Sequence, residues 1–259
     1  MLKLRATEEK SALKIGDAVD EGLNYLLETR DLPTAIRKFK EKWEKVAKAG
    51  NIIYSKSDVE EHLLEGIEIK KDSDRGYYSW LKKGEILITE YHEQIMPLIK
   101  EVVKVQINES MHNDQGDELV IKTDFIAVWH DGRRILFDNK TSSVKYDQNS
   151  VKESNQLAIY YDALKEEYNL DACGYIVIPK KVNKQKKPLV KIEVIIDNIP
   201  QNTIDKTHEN FNNTLMGVKL AQFDKNHQAC MGIYGKCQYY SYCHEGKTTG
   251  LKEVNYEKK

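Results

Sequence analysis

Asp124, Asp138 and Lys140 are the residues in this chain whose types and spacing can do chemistry together. They lie in IKTDFIAVWHDGRRILFDNKTSS, residues 121–143, where HDG (His130–Gly132) is a strong hairpin signal between two strand-like segments. The hairpin predicts that the two acids meet at one end of a strand pair. Residues two apart on a strand point to the same face, so Lys140 shares a face with Asp138. Two carboxylates and the Asn139 backbone carbonyl offer hard oxygen ligands of the kind Mg²⁺ or Mn²⁺ takes. A cation held there would acidify a water and offset charge on a phosphate, with Lys140 placed to assist. Cleavage of a phosphodiester is the reaction this set suits. A lone D-x-K is common; the second acid, the apolar run before each acid, and QLAIYY opening a helix from Gln156 make the pattern more specific.

The elements that must hold these residues follow from periodicity. ALKIGDAVDEGLNYLLET spaces Leu13, Val19, Leu23 and Leu26 at helical period. A second helix opens near Pro33, in LPTAIRKFKEKWEKVAKAG, with Gly50 as its stop. Ser57 and Glu60 read as a capping box for a third, SDVEEHLLEGIEIKK, and a fourth runs from about Tyr77 to Ile99. The pattern changes near Val102. EVVKVQINES and ELVIKTDFIAVW alternate, and RRILFDNKT reads as a short, central, apolar strand. SVKESNQLAIYYDALKEEY is helical, ACGYIVIPKK and LVKIEVIID are strands joined by a lysine-rich turn, and TIDKTHENFNNTLMGVKLAQF is a last helix. The fold class this predicts is α/β, a mixed sheet flanked by helices. The division is a helical N-terminal lobe (1–100), a core (101–223) and a cysteine-rich tail (224–259), with the lobe an extension of the core's own domain.

Composition narrows the partners. The chain has 259 residues, 31% of them charged, yet a formal net charge of −1. No whole-molecule basic field exists, so contact with nucleic acid needs a local patch. IPKKVNKQKKP supplies one: Lys180, Lys181, Lys184, Lys186 and Lys187 in a single turn could track a phosphate backbone, or simply keep a hairpin tip soluble. Arg37, Lys38, Lys40, Lys42 and Lys45 read instead as a solvated helix face, and Trp43 and Trp80 as core. No apolar run is long enough to span a bilayer, and the N-terminus lacks a secretory signal. Four cysteines make no disulfide framework, so a soluble protein of a reducing cytoplasm is expected.

IKTDFIAV, ILFDNKTSS and QLAIY together resemble the successive motifs of the PD-(D/E)XK nuclease superfamily, in particular its RecB-like exonuclease branch. That resemblance spans about residues 102 to 200. It implies a restriction-endonuclease-like core and metal-dependent hydrolysis of DNA. Asp124 and Asp138 would be metal ligands, Lys140 the catalytic lysine, and Gln156 and Tyr160 the pair that orients DNA or active-site groups. It also implies work in recombination, repair or phage DNA processing, beside a recombination or single-strand-annealing protein.

Two positions depart from the branch. Ile121 stands where a Gly is usual, and Asp20 stands where the His of an N-terminal G-x-x-x-H helix falls, four residues after Gly16. An Asp is still a hard oxygen ligand, so Asp20 is either a further metal ligand or a solvated helix residue. Glu109 could add a carboxylate, though a solvent-facing strand residue is the simpler reading.

The tail holds Cys230, Cys237 and Cys243. Some RecB-like nucleases carry a [4Fe–4S] cluster on a C-x2-C-x5-C run. The second interval here matches and the first does not. Zn²⁺ held by the three cysteines with His227 or His244 is a second reading. A third is three thiols among Tyr234, Tyr239, Tyr240 and Tyr242. Cys173, inside an apolar strand, is expected to fill core. Besides the exonuclease, two alternatives stand: a nuclease fold kept as a DNA-binding or assembly module, and a structure-specific endonuclease.

Overall fold

The computed structural model describes residues 4–6, 9–49, 52–112, 116–220, 222, 230–232 and 235–253. Short strands β1 (Leu4–Ala6), β2 (Glu9–Lys10) and β3 (Ile52–Ile53) edge a helical layer. Its helices are α1 (Ser11–Thr29), α2 (Leu32–Lys48) and α3 (Asp72–Gln94). On α1, Ile15, Ala18, Val19, Leu23, Leu26 and Leu27 are buried at intervals of three and four, one continuous apolar stripe. Leu13 is exposed, and Ile15 takes the buried place the spacing had assigned to it. On α2, Asp31 caps the first turn by accepting from Thr34 N–H, Pro33 follows, and Ala35, Phe39 and Trp43 are buried four apart. Gly50, the expected stop of α2, lies outside the described residues.

Close approach between α2 and α3 depends on Gly84. A Cβ there would stand 1.9 Å from Cζ of Phe39, whose ring is fully buried. Gly84→Ala should therefore destabilise the protein by about 1–3 kcal/mol through overpacking. Thermal melts check this, and an unchanged midpoint would mean that the Phe39 ring can yield freely.

Asp124, Asp138 and Lys140 lie on a five-stranded sheet ordered β4-β5-β6-β7-β8. Its strands are β4 (Ile99–His112), β5 (Glu118–Trp129), β6 (Arg134–Ser142), β7 (Ala172–Pro179) and β8 (Glu193–Asp197). β6 is central, as its apolar run predicts. Its pairing with β7 is parallel and the other three pairings are antiparallel, so the sheet is mixed. The parallel pair is buried on both faces and lacks alternation for that reason. The β5–β6 turn holds Gly132 at φ 96°, where a side chain would be strained. Helices α4 (Gln148–Lys152) and α5 (Asn155–Tyr168) form the crossover from β6 to β7, and α6 (Gln201–Lys219) packs on α5. The stretch from Ser150 to Tyr168 is two helices rather than one, because Ser154 leaves helical geometry to cap α5 through Leu157 N–H.

One face of the sheet shares a core with α1, α2 and α3 through Phe125, Phe137 and Ile176; the other packs on α5 through Ile126, Leu136 and Val177. Three further sequence expectations fail, two of them to tertiary contacts. Residues from Ser57 onward form only short 3₁₀ turns, Lys56–Asp58 and Glu61–Leu63. Asp58 there is buried and accepts from Ser55 N–H and Ser11 Oγ, while Lys83, also buried, pairs with Glu60. The fourth helix begins five residues earlier than expected, at Asp72, and ends at Gln94 before a 3₁₀ turn containing Pro97. Leu189–Ile192 do not extend β8. Their backbone groups are taken by α3 side chains instead, Leu189 N–H donating to Glu90 Oε1 (2.7 Å) and Ile192 N–H to Gln94 Oε1 (3.1 Å).

Beyond the sheet, a two-residue hairpin pairs β9 (Met231–Gly232) with β10 (Gly235–Lys236), and α7 (Tyr240–Glu245) follows. β11 (Leu251–Glu253) pairs antiparallel with β1, joining the two ends of the described chain. Helix α6 ends at Lys219, short of Phe223, which lies outside the described residues. No helix among the described residues is long and apolar enough to cross a membrane.

Candidate active site

A local failure of strand pairing opens the site. The β5–β6 ladder stops at Phe125 opposite Phe137, one residue before Asp138. Past that point Asn139 N–H donates to Asp124 Oδ2 at 2.6 Å, so a side-chain carboxylate takes the place of a β5 carbonyl. On the other side of β5, the β4 register skips the Gln106–Asp124 pair, and Gln106 takes φ 51° in the left-handed region. Such irregularities re-aim a neighbouring side chain and gather at functional sites. Nothing in the sequence marks Gln106. Its part is visible only in the register.

Asp138 and Lys140 project from β6 toward α5. Lys140 Nζ lies 2.6 Å from Asp138 Oδ2 and donates to Gln156 Oε1 at 3.1 Å. Gln156 Nε2 in turn donates to Asp138 Oδ1 and to the Tyr160 hydroxyl, both at 3.1 Å. Four residues of the expected catalytic set are thus in one connected network, and Asp124, the fifth, adjoins it through the Asn139 N–H. Behind them Asn139 is buried, and its side-chain Oδ1 accepts from the hydroxyl of Tyr91 on α3. Tyr91 was not singled out from sequence, since a tyrosine on a helix stripe reads as core. Burial first, then the nearby Asp124, hold its phenol well above the ordinary value, so it stays a donor to Asn139.

Asp20 joins this cluster. Helix α1 approaches the end of β6 at Gly16, where a Cβ would meet Thr141 Oγ1 at 3.2 Å. One turn on, burial pushes the Asp20 carboxyl up to about 8, and the charges of Asp124 and Asp138 add to the effect. Asp20 is half-buried rather than fully solvated. Burial, then Asp138, likewise raise Asp124 to about 7, against the opposing Asn139 N–H and Lys140. Asp138 is raised by burial, with Lys140 working against it. For Lys140 itself, burial favours the neutral form, but Asp138 outweighs it and keeps the ammonium charged at neutral pH. Glu109 is elsewhere engaged, accepting from Tyr168 at 3.1 Å.

Burial raises all three carboxyls, Asp138 adds to the effect on Asp124, and both add to it on Asp20, so negative charge is concentrated here with one lysine to offset it. Asp138 Oδ2 is buried and accepts no well-aligned hydrogen bond, despite the close Lys140 ammonium. Hard oxygen donors and an unsatisfied carboxylate oxygen are what a small divalent cation meets in a protein site. Among the described residues, however, no three His, Cys, Asp or Glu side chains converge closely enough to hold a metal unaided. A cation here would rest on fewer carboxylates, with waters completing its shell, as Mg²⁺ commonly does.

A sequence model of the PD-(D/E)XK nuclease superfamily matches residues 1–244. The chain belongs to that superfamily. No curated protein matches it. The matched span takes in the helical lobe as well as the sheet of this nuclease, and so includes Asp20.

The nuclease's lysine-rich turn leaves the sheet at the end where Lys140 lies. β7 runs parallel to β6, and Lys180 N–H donates to Ser142 O. Lys181, Lys184, Lys186 and Lys187 are exposed there. Lys180 differs, because its ammonium is drawn inward to Ala12 O at 2.7 Å and burial lowers its pKa. It fastens the turn to α1 rather than presenting charge.

The tail gives the metal readings no support. All four cysteines are thiols, and among the described residues none enters a group of metal ligands. Cys230 and Cys237 face each other across the β9–β10 hairpin, joined by Cys237 N–H to Cys230 O. His244 stacks on Tyr240, centroids 4.2 Å apart, with Lys236 over the same Tyr240 ring. His227 and Tyr234 lie outside the described residues. Cys173 is fully buried, and burial raises its thiol far above the ordinary range, as expected of core filler.

Proposed function

We propose that this nuclease is a Mg²⁺- or Mn²⁺-dependent DNA exonuclease of the RecB-like kind. The observation that carries the reading is Gln156, which bonds Asp138, Lys140 and Tyr160 at once. A Q-x-x-x-Y helix knitted to D-x-K is the feature that sets the RecB-like branch apart within the pattern read from sequence. Asp124 and Asp138 would hold the cation, with Asp20 and the Asn139 carbonyl beside them. A divalent cation there supplies Lewis acidity and a water acidified toward neutral pH. Lys140, kept charged by Asp138, faces the phosphate and stabilises its developing negative charge. Gln156 sets the orientation of both groups, and Tyr160 sets that of Gln156.

Lys181, Lys184, Lys186 and Lys187 would hold the DNA backbone beside this centre. Changing all four to Ala should weaken binding and flatten the log–log salt dependence by about two to four. Fluorescence anisotropy across a salt series reads this directly; an unchanged slope removes the turn from the interface. The expected setting is the processing of DNA ends in recombination, repair or phage replication, in the cytoplasm, beside a strand-annealing protein.

End-labelled and circular DNA, single- and double-stranded, incubated with Mg²⁺ or Mn²⁺, tests the activity. Mononucleotides released from linear DNA alone support the exonuclease, while cut circles make it an endonuclease. One observation favours a second reading, a nuclease fold that binds DNA with little catalysis: three ligand side chains do not converge among the described residues. Binding without metal-dependent loss of label, unchanged in Lys140→Ala, would establish that reading instead.

A further inference from the structure

We propose that Tyr175 is the positioning residue for Lys140, and that Ser154 locks it to the helix carrying Gln156 and Tyr160. The inference rests on the reading of Lys140 as the catalytic lysine. Tyr175 lies on β7 directly beside Asp138 in the parallel register, on the sheet face that packs against α5. Its ring is 5% exposed, and Lys140 Nζ stands 5.6 Å from the ring centroid, within reach of a cation–π attraction. The hydroxyl is 2.7 Å from Ser154 Oγ, and that same oxygen accepts Leu157 N–H to cap α5. Tyr146 packs edge-on against the ring, centroids 5.2 Å apart.

These contacts define a role. A lysine has a flexible four-carbon stem, and its ammonium here has two polar partners, Asp138 and Gln156. A second carboxylate would restrain it but cancel the charge a phosphate needs. An aromatic face restrains it without adding charge. The Ser154 link carries the restraint further: the hydroxyl that starts α5, two residues before Gln156, also fixes the ring beneath Lys140. Strand and helix halves of the site are thus held in register by one Ser–Tyr pair. In sequence, Tyr175 sits inside ACGYIVI and reads as core, so only the pairing of β6 with β7 reveals it.

The test compares Tyr175→Phe, which keeps the ring, with Tyr175→Leu, which removes it. Single-turnover cleavage of labelled DNA should slow about tenfold in the Leu variant at unchanged DNA affinity, and at most about threefold in the Phe variant. A second readout does not depend on turnover. The Lys140 ε-CH₂ resonance, assigned by its loss in Lys140→Ala, should show a ring-current shift in wild type and Tyr175→Phe that vanishes in Tyr175→Leu. Should the Leu variant not fold, Tyr175→Met replaces it. Wild-type rate in the non-aromatic variant, or a Lys140 resonance indifferent to the ring, overturns the proposal. If the wild type cleaves no DNA, the functional reading falls, while the resonance still decides whether Tyr175 positions Lys140.

Discussion

Lys140→Ala should lower DNA hydrolysis by about a hundred- to a thousandfold while leaving DNA affinity near that of the wild type, the scale expected when one preorganised electrostatic group is lost. The ammonium sits within 2.6 Å of Asp138 and within hydrogen-bonding distance of Gln156, and it carries full charge at neutral pH. Binding to the backbone rests mainly on the separate lysine turn, so rate and affinity should part company. Lys140→Arg should not restore the rate, because a planar guanidinium cannot occupy the space of a compact ammonium between Asp138, Gln156 and the Tyr175 ring. Asp138→Asn should be at least as damaging, since it removes a carboxylate and Lys140's charge partner together. The measurement is single-turnover cleavage with anisotropy on the same preparations. A Lys140→Ala rate within tenfold of wild type would remove this lysine from the chemistry.

In the presence of a chelator, the protein should become less stable as pH rises through about 7 to 8. Asp20 and Asp124 have folded-state values of about 8 and about 7, above the 3.8 of an ordinary aspartate. Between those limits the folded chain binds more protons than the unfolded chain, so stability falls as pH increases. The contribution is fully present below about 4 and is lost as pH passes the folded values. Shifts of this size correspond to roughly 4–6 kcal/mol for each carboxyl, so the midpoint should fall by about 10 °C or more. Asp20→Asn should flatten the profile and stabilise the protein at alkaline pH. Mg²⁺ or Mn²⁺ should do so too, and more at high pH than at low, because a cation competes with protons for the same carboxylates. Thermal melts across pH, with and without metal, check both. A profile that is flat, or rises with pH, would show that the three carboxyls do not share one buried field.

The surroundings of Lys140 show how far local pattern reaches. Asp124, Asp138 and Lys140 were legible because strand periodicity and a hairpin turn place them with no tertiary knowledge. Gln156 and Tyr160 were legible through the resemblance to the RecB-like Q-x-x-x-Y helix, whose spacing puts them on one face, one turn apart. Asp20 was undecided in sequence, since a charged residue on an amphipathic helix is equally at home in solvent. Only the packing of α1 on the end of β6, through Gly16, buried it beside two other carboxylates. Lys180 was indistinguishable from its four neighbours until the fold turned it toward Ala12.

The segments misread as helix or strand share a cause. Asp58, Glu60, Glu90 and Gln94 lend side chains to backbone or buried polar groups in the stretches after Ser55 and Leu189, and such contacts span 99 residues in the case of Leu189 and Glu90. Periodicity reports on apolar faces and is blind to polar partners so distant.

By itself the sequence determined the superfamily, the central place of β6 in a mixed sheet, and the acids and lysine at its end, because these depend on short-range pattern. Tertiary structure alone decided which carboxyls share a field, where the β5–β6 ladder breaks to admit Asp124, and that Tyr175 lies beneath Lys140. Each of those is an interaction between elements far apart in the chain, and its energy exists only once they are packed.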